Sequence, residues 1–479
     1  MAVLSKSKYL AGLQCPRLLW FHFNEPDVIP DYDDQTQAIF DQGHRVGEVA
    51  KECYPDGLEI EWGDFMETIR KTKDYLSWRL PIFEASFLHD DEYCRVDILV
   101  PNGDGWNIIE VKSSTRVKDV HVQDVAFQTY VLRGEGLDIK KTYVSHIDRD
   151  YVKDGEIEPK GLLAKRDITD EVEDELDDVP EKVASMWRTI GKEAPPEPDV
   201  GPQGSTPYDC ALEDECCCSL PEYNVTELYY IGDRAYELTD EGIYTIANVP
   251  DEFRLTEKQE RQREAVEEAE PVVLKHKITS FLDKLDYPLY CLDFESYRRA
   301  IPLVDGTRPY QQIPFQFSLH VMERDGSVEH HEFIGDSEDP RGDLAEALHV
   351  IGDEGSLVAY NASFERRVLE SLADETGDEW LRGLCDRFID VHVPFKNFWY
   401  YHPDQRGSTS LKTVLPLLSG EDYEAMDIAD GDAAARTYIG AVLAGELDAV
   451  REPLLEYCKQ DTYALVVIVE KLRELTRMS

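Results

Sequence analysis

The sequence predicts an α/β protein of more than one domain, and three observations carry that reading. The chain has 479 residues, which at roughly 150 residues per core gives a prior of about three domains. Hydrophobic residues make up 42% and aromatics 10%, enough apolar surface for packed cores. Short apolar runs alternate with helical patterns in two separate stretches, one over residues 1 to about 150 and one from Tyr287 onward.

In the first stretch CRVDILV and WNIIEVKSS read as strands. The chain then turns acidic through DEVEDELDDVPEK, expected as one helix, and rich in proline and glycine up to the cysteines near residue 210. Residues 221–285 carry two short β-like runs and then TEKQERQREAVEEAEPVV, whose charge pattern suits an exposed helix, so this stretch is expected to be a connector. PLYCLDFESY, FQFSLHVME and VEHHEFIGD read as successive strands, and a long helix is expected from about Pro453. The expected domains are 1–220, a connector over 221–285, and 286–479, with no internal repeat.

Lys and Arg number 50 against 98 Asp and Glu, a formal net charge of −48. Carboxylates spread along the whole chain predict an acidic surface suited to concentrated salt. This does not exclude a polyanionic partner, because counterion release contributes little in such salt and divalent cations bridge carboxylates to phosphates. The opening segment MAVLSKSKYLAGLQCPRLLW has no uninterrupted apolar core before a cleavage site, and no run of about 18 apolar residues occurs. A soluble, cytoplasmic protein without a membrane partner is therefore expected. Four of the ten cysteines fall between positions 210 and 218, a spacing for metal rather than for disulfides.

In LDFES, Asp293 and Glu295 stand two apart at the end of an apolar strand and so face one side. Paired hard oxygen ligands are what Mg²⁺ or Mn²⁺ requires. VAYNASFERRVL sets Asn361 and Glu365 four apart on one expected helix face, and LLEYCKQDTYAL does the same for Tyr457 and Asp461. Three elements can thus converge on one site. Four carboxylates hold two cations roughly 4 Å apart, one activating water and the other stabilising the leaving oxygen in phosphodiester hydrolysis. Tyr457 then orients or deprotonates the water.

In that order the three pieces resemble the exonuclease motifs of the DnaQ-like superfamily, in its tyrosine-bearing subclass, over about 190 residues. The resemblance implies a ribonuclease H-like fold with a mixed sheet flanked by helices, two divalent cations, and 3′-to-5′ removal of nucleotides from single-stranded ends. It assigns Asp293, Glu295 and Asp461 to metal and Tyr457 to the water. Glu365 stands where the superfamily usually has Asp. Asp390, closing the run FID, reads either as an accessory acid or as a capping carboxylate.

Nearer the N-terminus, Glu110 and Lys112 share a strand face and Asp97 lies in the preceding run. An Asp with Glu-x-Lys supplies two metal ligands and a cation beside an attacked phosphate, the plain alternative being a surface ion pair. This looks like the PD-(D/E)xK core of restriction-endonuclease-like domains, and more narrowly like the RecB-like nucleases, including the exonuclease of CRISPR adaptation and the AddB nuclease domain. That resemblance implies a metal-binding role for His44, with an ordinary exposed helix histidine as the alternative. It also implies a catalytic role for Gln128, although DVAFQTYVL departs from the Gln-x-x-x-Tyr motif: Asp124 and Gln128 take the i and i+4 places, with Tyr130 two further on.

RecB-like nucleases with an iron–sulfur cluster keep one cysteine near the N-terminus and three after the core. Cys15, Cys210 and Cys216 fit such places, Gly204 stands where another is expected, and Cys217 or Cys218 is the substitute. Four thiolates suit a [4Fe–4S] cluster; Zn²⁺ or no metal are the alternatives. Cys53, Cys94, Cys291, Cys385 and Cys458 read as packing residues. The whole combination resembles a family of two-nuclease proteins expected to act in nucleic-acid processing or repair, on DNA or RNA. The alternatives are an RNA-trimming enzyme and a nucleic-acid-binding scaffold with decayed sites.

Overall fold

The computed structural model describes residues 2–198, 201, 204–212, 216, 220–420 and 430–477. The chain divides into two units, 1–219 with 299–311 and 220–298 with 312–479. Residues 221–285, expected as a connector, thus belong to the second unit, and residues 299–311, expected in the C-terminal domain, to the first.

Unit 1 is built on a mixed seven-stranded sheet: β1 (Leu4–Ser5), β2 (Leu58–Glu59), β3 (Ile82–His89), β4 (Glu92–Asn102), β5 (Gly105–Lys112), β6 (Ile139–Ile147) and β7 (Leu163–Asp167). The order is β2-β3-β4-β5-β6-β7, with β1 pairing in parallel to the start of β4. Its helices are α1 (Lys6–Gln14), α2 (Pro16–Asn24), α3 (Asp34–Glu52), α4 (Phe65–Leu76), α5 (Asp119–Gly134), α6 (Thr169–Leu176) and α7 (Val179–Ile190). Strand β4 shows why the sequence gives two apolar faces. Its Leu99 joins a core with Phe127 and Val131 of α5, whereas the adjacent Ile98 joins Val46 and Ala50 of α3.

DEVEDELDDVPEK was expected as one helix but forms all of α6 after its first residue and the start of α7, with the break at Asp177 and Asp178. Pro180 explains the break: it has no N–H to continue a helix and is tolerated in the first turn of the next one.

Unit 2 contains β8 (Val272–Val273), β9 (Leu289–Tyr297), β10 (Ile313–Met322), β11 (Val328–Ile334), β12 (Ser356–Ala359), β13 (Phe388–Asp390) and β14 (Tyr400–Tyr401). Five of them form a mixed sheet in the order β11-β10-β9-β12-β13, in which β10 is antiparallel to both neighbours and β12 runs parallel to β9 and β13. The helices of eight or more residues are α8 (Glu257–Glu268), α9 (Lys275–Leu282), α10 (Ser363–Thr376), α11 (Leu411–Ser419), α12 (Gly431–Ala444) and α13 (Arg451–Arg477).

Alternation along β9 places the site. Leu289 and Cys291 pack with Leu465, Ile468 and Leu472 of α13, while Leu292 and Phe294 pack with Leu369 and Leu372 of α10. Asp293 and Glu295 continue the α13-facing series where the apolar residues stop.

The two β-like runs expected after residue 220 are not strands. They form the short turns Val225–Glu227 and Ile246–Asn248 and the helix Arg234–Asp240, joined by a bridge between Asn224 and Thr245. Their buried Val225, Leu228 and Ile231 recur at every third residue, a helical spacing, and close a small core with Leu238 and Ile246. The charged helix α8 starts at a capping box of Thr256 and Gln259, and it buries Gln259, Gln262 and Ala265 rather than being exposed all round. No helix among the described residues is long and apolar enough to cross a membrane.

Candidate functional site

In unit 2 four acidic side chains from three elements, Asp293 and Glu295 on β9, Glu365 on α10 and Asp461 on α13, bear on one another electrostatically. Asp293 and Glu295 lie on β9 opposite Ser318 and Gln316 of β10, and α13, carrying Tyr457, Cys458 and Asp461, packs over these two strands. Ligand atoms of Asp293, Glu295 and Cys458 all fall within 4.8 Å of one another. Glu365, in the first turn of α10, is only 2% exposed, and its Oε2 is buried without a hydrogen bond among the described residues. An ionised carboxylate so placed is costly unless a cation compensates it.

The electrostatics repeat the message. Burial first, then Asp461, raises the Asp293 carboxyl far above the usual range. Glu295 is held up by burial, then by Asp293, Asp461, Asp430 and Asp432, and Glu365 by burial and then Asp293. These groups push one another toward the protonated state, the condition that a divalent cation relieves. The donor set fits such an ion: carboxylate oxygens are hard ligands, and one of them lies buried without a partner among the described residues.

Tyr457, 4% exposed, stands one helical turn before Asp461. Burial, then Asp461, Glu295 and Asp293, push its phenol far up, so it stays protonated. Cys458 was read from the sequence as packing, yet its thiol donates to the Asp293 carboxylate Oδ2 at 3.5 Å. Burial and Asp293 hold that thiol well above its ordinary value, so it acts as a donor and not as a thiolate ligand.

Asn361 and Glu365 were expected to share a helix face, but α10 begins at Ser363, and Asn361 lies outside it at φ 65°. Asparagine is one of the few residues that adopt this left-handed conformation readily. The Asn361 backbone N–H donates to Asp390 Oδ1 at 2.9 Å, and that of His392 to the same oxygen at 3.0 Å. Asp390 therefore caps the turn where β12 and β13 end, and its charge also bears on Glu365.

A buried polar network behind the carboxylates had no motif to announce it. Ser318 Oγ meets Thr462 Oγ1 at 2.7 Å and His330 Nε2 at 2.9 Å, and Thr462 Oγ1 meets His320 Nδ1 at 2.8 Å. Gln316 Nε2 donates to the Leu454 carbonyl at 2.7 Å. These bonds pin α13 to β10 beside Asp461. The available signal was the alternation Gln316, Ser318, His320 in an otherwise apolar strand.

Unit 1 gathers a second set of charges of a different balance. Lys112 Nζ donates to Glu110 Oε1 at 2.7 Å and to Asp124 Oδ2 at 2.9 Å. Gln128 Nε2 donates to Glu110 Oε2 at 2.7 Å and to Asp124 Oδ1 at 2.9 Å. Asp97 Oδ2 accepts from the Val111 backbone N–H at 2.7 Å. Lys6, which no sequence pattern singled out, donates to Glu110 Oε1 at 2.9 Å and Oε2 at 3.2 Å and lies 3.7 Å from Asp97 Oδ1. Both oxygens of Glu110 thus have two donors each, and this arrangement does not fit a divalent cation between Asp97 and Glu110. His44 is exposed on α3 and makes no hydrogen bond or ion pair among the described residues. Tyr130 turns its ring to His89 rather than to the site.

Cys15, at the junction of α1 and α2, shares an apolar cluster with Cys210 and Cys216 around Leu18, Trp20, Phe21 and Leu212. Their sulfur atoms do not all approach within 4.8 Å of one another. Cys217 and Cys218 lie outside the described residues. Gly204 is close by in the chain path, its carbonyl accepting from the Cys210 N–H at 2.8 Å.

A family model described as "Domain of unknown function (DUF2779)" matches residues 290–410, which include Asp293, Glu295, Glu365 and Asp390 but not Tyr457 or Asp461. The chain is also similar to the uncharacterized protein UU173 of Ureaplasma parvum serovar 3, with 22% identity over 212 residues. The match covers 38% of this chain and 31% of that protein, so the chain spans about a third of its relative's length.

Proposed function

We propose that unit 2 is a divalent-metal-dependent exonuclease of the DnaQ-like kind, removing nucleotides 3′-to-5′ from single-stranded nucleic-acid ends. The observation that carries the reading is the mutual burden of half-buried Asp293 and buried Glu295 and Glu365, each raised by desolvation and then by neighbouring carboxylates. A mixed sheet flanked by helices, with two of the acids on its central strand, agrees with the ribonuclease H-like architecture that the motifs imply.

Asp293, Glu295, Asp461 and Glu365 are the residues to hold Mg²⁺ or Mn²⁺. When bound, such ions supply the positive charge that activates a water and stabilises a leaving phosphate oxygen. The chain's own contributions are positional. Cys458 fixes one oxygen of Asp293 by donation, and the Ser318–Thr462–His320 network sets the rotation of α13 and hence of Asp461. Tyr457, kept protonated, orients the attacking water by hydrogen bonding rather than by accepting its proton. Hydrolysis of a phosphodiester needs no distinction between DNA and RNA at these groups, so both are candidate substrates.

The test is release of mononucleotides from end-labelled single-stranded DNA and RNA of matched sequence, with Mn²⁺ in concentrated salt. Activity that disappears in Asp293→Ala supports the reading. Undiminished cleavage by that variant removes unit 2 from the reaction.

A further inference from the structure

Among the described residues the two carboxylate clusters differ in charge balance. In unit 2 the acids bear on one another, whereas in unit 1 Asp97, Glu110 and Asp124 are met by the ammonium groups of Lys6 and Lys112. Lys112 belongs to the Glu-x-Lys pattern on the same strand, but Lys6 arrives from a separate element and takes the position between Asp97 and Glu110.

Its delivery is rigid. Strand β1 pairs with β4 at Glu92 and Tyr93, and the Leu4 N–H donates to the Asp91 carbonyl at 2.9 Å. Leu4 is fully buried, and Ser5 caps α1 by accepting from the Lys8 N–H. Tyr9, one turn along α1, stacks on Phe127 of α5 with ring centres 4.4 Å apart. Lys6, the first residue of α1, is held on both sides by these anchors. Glu110 is 1% exposed, and a carboxylate so enclosed stays ionised only with a cation in contact.

We propose that Lys6 is the resident cation of the Asp97–Glu110 pair and that a divalent ion binds there only by displacing it. The segment β1–α1 is then a plug on the unit 1 site. Removing the Lys6 charge leaves two carboxylates with one lysine at Glu110 and an open face toward Asp97, the arrangement that draws a divalent cation. This inference concerns unit 1 and stands or falls separately from the function proposed for unit 2.

The experiment counts bound Mn²⁺ by electron paramagnetic resonance of the free ion, on the full chain carrying Asp293→Asn and Glu295→Gln to silence unit 2. Lys6→Met should add one ion, bound about tenfold or more tightly than any ion at that place in the Lys6-bearing chain, and Glu110→Gln on top should remove it. An unchanged count in Lys6→Met overturns the proposal. A second arm holds even if Lys6→Met does not fold: Glu110→Gln in the Lys6-bearing chain should cost no ion, and the loss of one overturns the proposal equally.

Discussion

Replacing Asp293 by Asn should stabilise the metal-free protein at alkaline pH and leave it unchanged in acid. Burial, then Asp461, moves the Asp293 carboxyl from 3.8 up to about 8. Between those values the folded chain holds a proton that the unfolded chain has released, so stability falls as pH rises through the window and stays low above it. At about 1.4 kcal/mol per unit, full ionisation has a ceiling on the order of 5 kcal/mol. Glu295 and Glu365 share the same repulsion, so the portion removed with Asp293 alone is smaller, about 2–3 kcal/mol. For a unit of this size that is a rise of roughly 5–10 °C in Tm. Thermal melts by circular dichroism, in chelator and concentrated KCl, read the effect directly. Asp293→Asn should melt with the wild type near pH 4 and well above it at pH 8, and saturating Mn²⁺ should reverse the order by stabilising only the wild type. A variant that melts at or below the wild type at pH 8 in chelator would refute the reasoning.

Three further outcomes are expected. If unit 2 is the proposed exonuclease, Tyr457→Phe should lower kcat about 100-fold or more while leaving the Mn²⁺ binding isotherm unchanged, since the phenol would serve the water and not the ion. Thr462→Val removes the hydroxyl shared by Ser318 and His320, and urea unfolding should show a loss of about 1–3 kcal/mol. Cys458, buried and held protonated by burial and Asp293, should resist alkylation in the folded protein at pH 8, with mass spectrometry locating the label; rapid modification there would contradict its role as a donor.

Much of the candidate site was legible because gathering carboxylates on one face needs particular residues at fixed spacings. LDFES closes an apolar strand, and the alternation that buries Leu289 and Cys291 carries Asp293 and Glu295 to the same side. The four-residue interval between Tyr457 and Asp461 survives because α13 is one unbroken helix. Asn361 was misplaced because spacing alone does not reveal where a helix begins, and the left-handed residue before α10 breaks the face it was assigned to. The stretch after residue 220 was misread because short apolar runs of two or three residues suit a strand and a helical turn equally.

Lys6 and Cys458 were missed for a different reason. Each acts through a contact between residues far apart in sequence, Lys6 with Glu110 and Cys458 with Asp293, and neither has a partner within its own element that would mark it. Lysine near a chain start is ordinarily a solvated side chain, and a buried cysteine is ordinarily packing. Only the arrangement of β1 against β4 and of α13 against β9 gives them their roles.

Anomalous diffraction from crystals soaked in Mn²⁺ tests the central claim most directly, because it locates the ion without reference to activity. The account predicts a peak coordinated by Asp293, Glu295 and Asp461, with Glu365 on the same ion or on a second one beside it. Crystals in which these carboxylates remain free of manganese, while the ion is held elsewhere on the chain, would contradict it.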